Sequence, residues 1–428
     1  MPLLGAIADD FTGATDLATM LVARGYRTVV AVGADGLTEE PSAAEQVRQA
    51  DAVVVALKSR TAPVDEAVET SLAALRALSR VGCRRFYFKY CSTFDSTPQG
   101  NIGPVTDALL DALRERTTVV VPSFPATGRT VYKSRLFVHD ELLDESPMRH
   151  HPLTPMKDSH LVRLLAPQTR RPVRAIGLDT VRSGTTALRE ALSDPQYADA
   201  LTVVDATSDE DLRTISAATS ELRLVTGAAG LALGLQGPHE GTARATAASR
   251  PTDFGAVLAG SASAATRAQV AHARERLPHR KLDIAALRAD RAAAVADLVD
   301  FARTCWADDP ARPPLLYAVG SLDDLEQETP EDAVPAAELI ERTLADCARE
   351  LVLAGARRLL VAGGETSGAV VTALGARTLG IGTQIASGVT WARTQPGVGG
   401  SAEGIDLALK SGNFGGTDIF TSAWDHLA

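Results

Sequence analysis

The chain repeats one pattern: a short apolar run, a polar loop rich in small residues, then a stretch of helical period. Residues 3–8 form the first such run. No charge interrupts it, as expected of a parallel strand covered on both faces. Asp9-Asp10-Phe11-Thr12-Gly13 reads as the turn that follows, and residues 14–24 as a helix. The same rhythm predicts strands at 28–32, 52–57, 85–90, 118–121, 173–178, 201–205 and 222–226. Helices are predicted near 42–49, 64–79, 102–116 and 185–192, from Asp209, and opening at Gly227-Ala228-Ala229-Gly230. Residues 133–170 break the rhythm. They read as a structured insertion and as the candidate interface of a homo-oligomer. Residues 236–252 are polar and rich in Gly, Ala and Thr, which marks a linker. Beyond it come strands at 255–259, 315–319 and 359–362, a long helix at 336–355, and a last strand ending at Lys410.

Strand-then-helix order implies mainly parallel sheets with helices on their faces. At 428 residues the chain exceeds the usual size of one core. The expected fold class is therefore α/β: two α/β domains with mainly parallel sheets, residues 1–235 and 253–428, and a ligand cleft between them. Composition agrees, with 45% hydrophobic and 22% charged residues. No apolar run approaches the roughly 20 residues that span a bilayer, and the N-terminus has no basic leader, so no membrane association or secretion is expected. Cys83, Cys91, Cys305 and Cys347 have no CxxC spacing, which argues against a zinc ribbon or a disulfide frame and suits a reducing cytoplasm. The net charge of −10 opposes nucleic-acid binding.

The chemistry gathers where predicted strands end. Adjacent acids such as Asp9 and Asp10 are costly to bury unless they meet a ligand, a metal or hydrogen-bond donors. The carboxyl ends of strands are where open α/β sheets bind ligands. Either acid could instead cap the helix. Lys58 and Arg60 follow the third strand, and two cations there suit carboxylate or phosphate oxygens. Lys89 and the hydroxyls of Ser92, Thr93, Ser96 and Thr97 follow the fourth, and Arg129 lies in the loop after the fifth. In the second half the strand ends carry glycine and hydroxyls instead: Gly260-Ser261-Ala262-Ser263, Gly363-Gly364-Glu365-Thr366-Ser367-Gly368 and Lys410-Ser411-Gly412-Asn413. The Gly-Gly turn lets a ligand approach the backbone, and Thr366 or Ser367 is expected to cap the helix that continues over 369–374. A helix start of this kind is a phosphate cradle. His139, His150, His151 and His160 match no metal-ligand spacing. GxxxxGK[ST] is absent, and no GxGxxG opens the first unit. A polar-acid site in one domain and a phosphate site in the other suit phosphoryl transfer better than hydride transfer.

Ile7-Ala8-Asp9-Asp10-Phe11-Thr12-Gly13-Ala14 closely resembles the N-terminal signature of the four-carbon acid sugar kinases. The glycine-rich segments at 363–368 and 410–415 resemble that family's nucleotide-domain motifs. Residues 89–97 and 149–156 look most like the branch acting on 3-oxo-tetronates. The resemblance implies a sugar-acid domain at 1–235, an ATP domain at 253–428, and phosphorylation of a terminal hydroxyl with ATP and Mg²⁺. It places Asp9, Asp10, Arg60, Lys89 and Ser92 at the sugar acid, with Asp9 or Asp10 as the catalytic base, and Ser261, Gly363, Gly364, Glu365, Thr366 and Gly412 at the nucleotide. No metal-ligating side chain is assigned. The turn after Gly260 departs from the family form at Ala262 and Ala264. The rival readings are a threonate or erythronate kinase, an oxidoreductase or lyase on the same plan, and a sugar-acid sensor without catalysis.

Overall fold

The computed structural model describes residues 3–37, 46–150, 154–240, 253–321, 324 and 334–427. It divides into two compact units, Met1–Arg244 and Ala245–Ala428. Most of the predicted 236–252 linker and part of the predicted 42–49 helix lie outside the described residues.

The first unit carries β1 (Leu4–Ala8), β2 (Thr28–Val32), β3 (Ala52–Ala56), β4 (Arg85–Lys89), β5 (Thr118–Val121), β6 (Arg129–Tyr132), β7 (Arg135–Val138), β8 (Glu141–Leu142), β9 (Val173–Ile176), β10 (Leu201–Val204) and β11 (Leu224–Gly227). Its main sheet is parallel, in the order β2-β3-β1-β4-β11-β5-β10-β9. Strands β1, β3, β5, β10 and β11 are buried along their whole length, which is why they read as apolar runs broken by nothing more polar than threonine. Strand β1 lies between β3 and β4, with Ala8 opposite both Ala56 and Lys89. The chain leaves β1 on one side for β2 and β3 and crosses to the other for β4. That reversal is a topological switch point, where doubly wound sheets open a crevice at the strand ends.

The described residues of the 133–170 insertion carry strands β7 and β8, in keeping with the structured insertion expected there. Strands β6, β7 and β8 form a small antiparallel sheet. The turn between β6 and β7 is Lys133-Ser134, both with positive φ, 50° and 58°. Neither residue favours that conformation, so no turn signal is visible locally. The buried carboxylate of Asp205 holds the turn, accepting Lys133 N–H at 2.6 Å and Ser134 N–H at 2.9 Å. Contacts from 72 and 71 residues away thus replace the missing Asn-Gly.

The second unit carries β12 (Phe254–Ala259), β13 (His279–Lys281), β14 (Leu315–Tyr317), β15 (Ala356–Ala362), β16 (Thr378–Ala386), β17 (Val389–Thr394) and β18 (Asp406–Lys410). Their order is β13-β14-β12-β15-β18-β17-β16. The first five are parallel, and β17 and β16 add on antiparallel. The β16–β17 hairpin turns at Ser387-Gly388, with Gly388 at φ 74°. Strand β12 sends the chain to β13 and β14 on one side, and β15 lies on its other side, so a second switch point falls between β12 and β15. The helix after β15 spans Gly364–Ala373, with Gly363 rather than the expected Thr366 or Ser367 at its N-cap. Thr366 and Ser367 therefore lie inside it, and no side chain caps it. Among the described residues no helix is long and apolar enough to cross a membrane.

Candidate functional site

The first switch point collects the expected polar residues. Asp9 N–H donates to the Lys89 carbonyl at 3.0 Å, and the Ser59 and Arg60 amides donate to the Asp9 carbonyl at 3.0 and 3.2 Å. The loops after β1, β3 and β4 are thereby stitched together. Asn101 reinforces the middle one, donating to the carbonyls of Ser59 at 2.7 Å and Ala62 at 2.9 Å. The Arg60 fork grips Asp9 with both arms, Nε to Oδ2 at 2.9 Å and Nη2 to Oδ1 at 2.8 Å. The same Nη2 lies 2.8 Å from Asp10 Oδ1, and Nη1 lies 3.8 Å from Asp95. Arg60, expected to meet the sugar acid, is thus bracketed by carboxylates.

Asp10 caps the helix Phe11–Ala23, accepting Gly13 N–H at 2.9 Å and the Thr12 hydroxyl at 2.7 Å. Capping and charge pairing coexist here, so the two sequence-level alternatives for this residue are not exclusive. Burial alone would push both acids up. At Asp10 the charges of Arg60 and Lys89, with the Thr12 and Gly13 donors, outweigh it and the carboxyl ends below its ordinary value. At Asp9 burial wins over Arg60, with the Asp10 charge adding to it, and the carboxyl is raised. Two adjacent aspartates are thus tuned in opposite directions, a pattern that divides proton-accepting from orienting roles.

Lys89 is buried and donates to the Tyr90 carbonyl at 2.9 Å. A Cβ at Gly13 would come within 2.8 Å of Lys89 Nζ, so glycine there keeps the helix start open to the ammonium. Ser92 lies buried on the same loop. Asp95, also buried, accepts the Thr93 hydroxyl at 2.6 Å.

Asp16 was not anticipated. It follows Gly13 by one helical turn on the same face, the spacing that would have flagged it. It is 5% exposed, and its carboxyl is raised to about 6 by burial, with Lys89 pulling it down and Asp10 pushing it up. A carboxyl raised above its unfolded value costs stability at any pH where it is charged. That cost is complete above about pH 6 and fades as pH falls towards the ordinary 3.8. Asp16→Asn should therefore stabilise the fold by about 1–3 kcal/mol at pH 8 and by less at pH 5. Thermal unfolding at the two pH values checks this; no gain at pH 8 would contradict it.

The second unit's loops converge in the same manner. Gly363 N–H donates to the Lys410 carbonyl at 2.8 Å, and the Gly260 and Ser261 amides donate to the Ala362 carbonyl at 3.0 and 3.1 Å. Gly363 has φ 128°, and a Cβ on it would lie 2.9 Å from Thr366 Oγ1 and 3.3 Å from Ser261 N. A Cβ on Gly412 would lie 2.5 Å from Ser261 Oγ and 2.9 Å from Ser263 Oγ. Ser261, Gly363, Thr366 and Gly412 are thus neighbours, and Gly364 and Glu365 form the uncapped first turn. The buried Ser367 hydroxyl has no partner among the described residues. Gln269 clamps the following loop, donating to the carbonyls of Phe414, Gly415 and Gly416 at 3.1, 3.0 and 3.2 Å. Thr266 holds it too, donating its hydroxyl to the Gly412 carbonyl at 2.9 Å; neither residue is visible in the sequence pattern, since helix-borne polar residues carry no local sign of the loop they hold. Glycine backbone, hydroxyls and an uncapped helix start fit a polyphosphate.

No group of three metal-ligating side chains gathers among the described residues. His139 packs against Gly128, and His151 lies outside the described residues.

Two family models match the chain: a sugar-binding N-terminal domain over residues 4–235 and a nucleotide-binding C-terminal domain over residues 256–420. The 3-oxo-tetronate kinase of Burkholderia multivorans is 49% identical over 432 residues, covering 99% of this chain and 96% of that one. That of Cupriavidus necator is 48% identical over 431 residues, with the same coverage. A crystal structure from Haemophilus influenzae superposes with a TM-score of 0.74 at 39% identity, covering 99% of this chain and 100% of its own. With both halves matched and its relatives aligned end to end, the chain belongs to the four-carbon acid sugar kinase family.

Proposed function

We propose that this protein transfers the terminal phosphoryl group of ATP to the 4-hydroxyl of 3-oxo-tetronate, giving 3-oxo-tetronate 4-phosphate and ADP. The observation that carries the reading is the contrast between the two switch points. One gathers carboxylates, an ammonium and hydroxyls, and the other offers glycine backbone, hydroxyls and an uncapped helix. The full-length relatives named 3-oxo-tetronate kinase supply the substrate.

In this reading Asp9 accepts the proton of the attacking hydroxyl, since burial raises it and makes it the stronger base of the pair. Asp10, held low, orients the sugar acid and the helix start. Arg60 fixes both aspartates and tempers their repulsion. Lys89 meets the substrate carboxylate, with Ser92 beside it. Ser261, Gly363, Gly364, Glu365, Thr366 and Gly412 line the nucleotide site. Bound Mg²⁺ would offset phosphate charge, held mostly by the phosphates themselves. Such chemistry belongs in the cytoplasm, where ATP is available.

A panel of four-carbon acids with ATP and Mg²⁺, read by ADP release, tests the substrate. Turnover is expected with 3-oxo-tetronates and weakly or not at all with threonate or erythronate. The reverse preference would move the protein to the sibling kinases, and binding without turnover would make it a sensor.

A further inference from the structure

Lys410 ends β18 and is wholly buried. Its Nζ donates to the carbonyls of Ser411 at 2.8 Å and Gly412 at 2.9 Å, and to Thr266 Oγ1 at 3.3 Å. Three acceptors match the three N–H bonds of an ammonium, whereas a neutral amine has two. The Gly412 carbonyl also accepts the hydroxyls of Ser263 at 2.7 Å and Thr266 at 2.9 Å. The Gly412 loop is therefore pinned from one side by a cluster centred on Lys410. The ammonium has no carboxylate partner among the described residues. The charged and titratable groups on the surrounding elements are Arg357 and Arg358 on β15, Arg393 on β17, Asp406 on β18, Arg267, His272 and Arg274 on the helix Ala264–Arg274, and Glu365 on the helix Gly364–Ala373. Arg393 and Asp406 pair with each other at 2.8 Å. None of these groups moves Lys410; burial alone lowers it to about 7.

A buried cation without a counter-charge is costly, and removing that cost takes either deprotonation or an anion. The loops meeting here are those assigned above to nucleotide phosphates. We propose that Lys410 is a positioning residue of the nucleotide site: its ammonium sets the Ser411–Gly412 loop and supplies the buried positive charge that a bound triphosphate compensates. The inference rests on the nucleotide reading of this unit.

Binding and protonation are then linked. Above pH 7 the free protein holds Lys410 largely as the amine, and MgATP binding draws a proton onto it. Isothermal titration of the full chain with MgATP at pH 8, in buffers of different ionisation enthalpy, should show uptake of close to one proton. MgATP affinity should fall by roughly tenfold per pH unit above pH 7. In Lys410→Met both effects should vanish and affinity at pH 7 should drop at least tenfold, with little change in sugar-acid affinity. Lys410→Arg keeps a charge that does not titrate, so it should bind MgATP without proton uptake. If wild-type protein binds MgATP with no proton uptake and no pH dependence, the Lys410 assignment falls and the nucleotide site stands. If it binds no MgATP at all, both fall.

Discussion

Asp9→Asn should lower kcat by about 10²–10⁴-fold and leave the KM for ATP nearly unchanged. The expectation follows from placement and from electrostatics together. Asp9 leaves β1 at the switch point, and its backbone ties the loops after β3 and β4. Its carboxylate is held in one orientation by the two-armed grip of Arg60. Asparagine preserves the shape but removes the base, and it presents an amide nitrogen to one arm of the guanidinium. Because burial raises Asp9, the acid limb of kcat/KM should lie above that of an ordinary aspartate and disappear in the variant. Asp10→Asn should behave differently. It keeps an acceptor for the helix cap but removes the charge paired with Arg60, so it should lower stability and reduce turnover less than Asp9→Asn. Steady-state kinetics and thermal unfolding on the two variants separate these roles. Near-wild-type turnover in Asp9→Asn would show that another group takes the proton.

Gly412→Val should raise the KM for ATP at least tenfold and change that for the sugar acid by less than about threefold, a cost of more than about 1.4 kcal/mol confined to one ligand. A β-branched side chain has no room beside the hydroxyls of Ser261 and Ser263, 2.5 and 2.9 Å from the Cβ position. The loop would shift away from the helix start, and the uncapped first turn of Gly364–Ala373 would lose its facing wall. Gly412 is a cleaner probe than Gly363, whose φ of 128° adds backbone strain to any substitution. Equal changes in both KM values, or a change in the sugar acid alone, would remove this loop from the nucleotide site.

Much of the architecture was legible along the chain because buried parallel strands need apolar residues on both faces. The runs at β1, β3 and β5 carry that requirement in plain sequence. Where a strand lies at an edge or pairs antiparallel, the requirement relaxes. His279–Lys281, Thr378–Ala386 and Val389–Thr394 escaped notice for that reason. The Lys133-Ser134 turn escaped because Asp205, not the turn's own residues, stabilises it.

The sequence by itself determined which residue types stand at the strand ends: acids, lysine and hydroxyls in one unit, glycine and hydroxyls in the other. Only the tertiary structure decided what each one touches. It engaged Arg60 with Asp9 and Asp10, raised one aspartate and lowered the other, and brought Asp16 into the field of Lys89. It also buried Lys410 beneath a loop with no counter-charge among the described residues. Charge and hydrogen-bonding capacity belong to the residue type. Their energies depend on distance and on exclusion of water, and those exist only once the strand order places separate loops side by side.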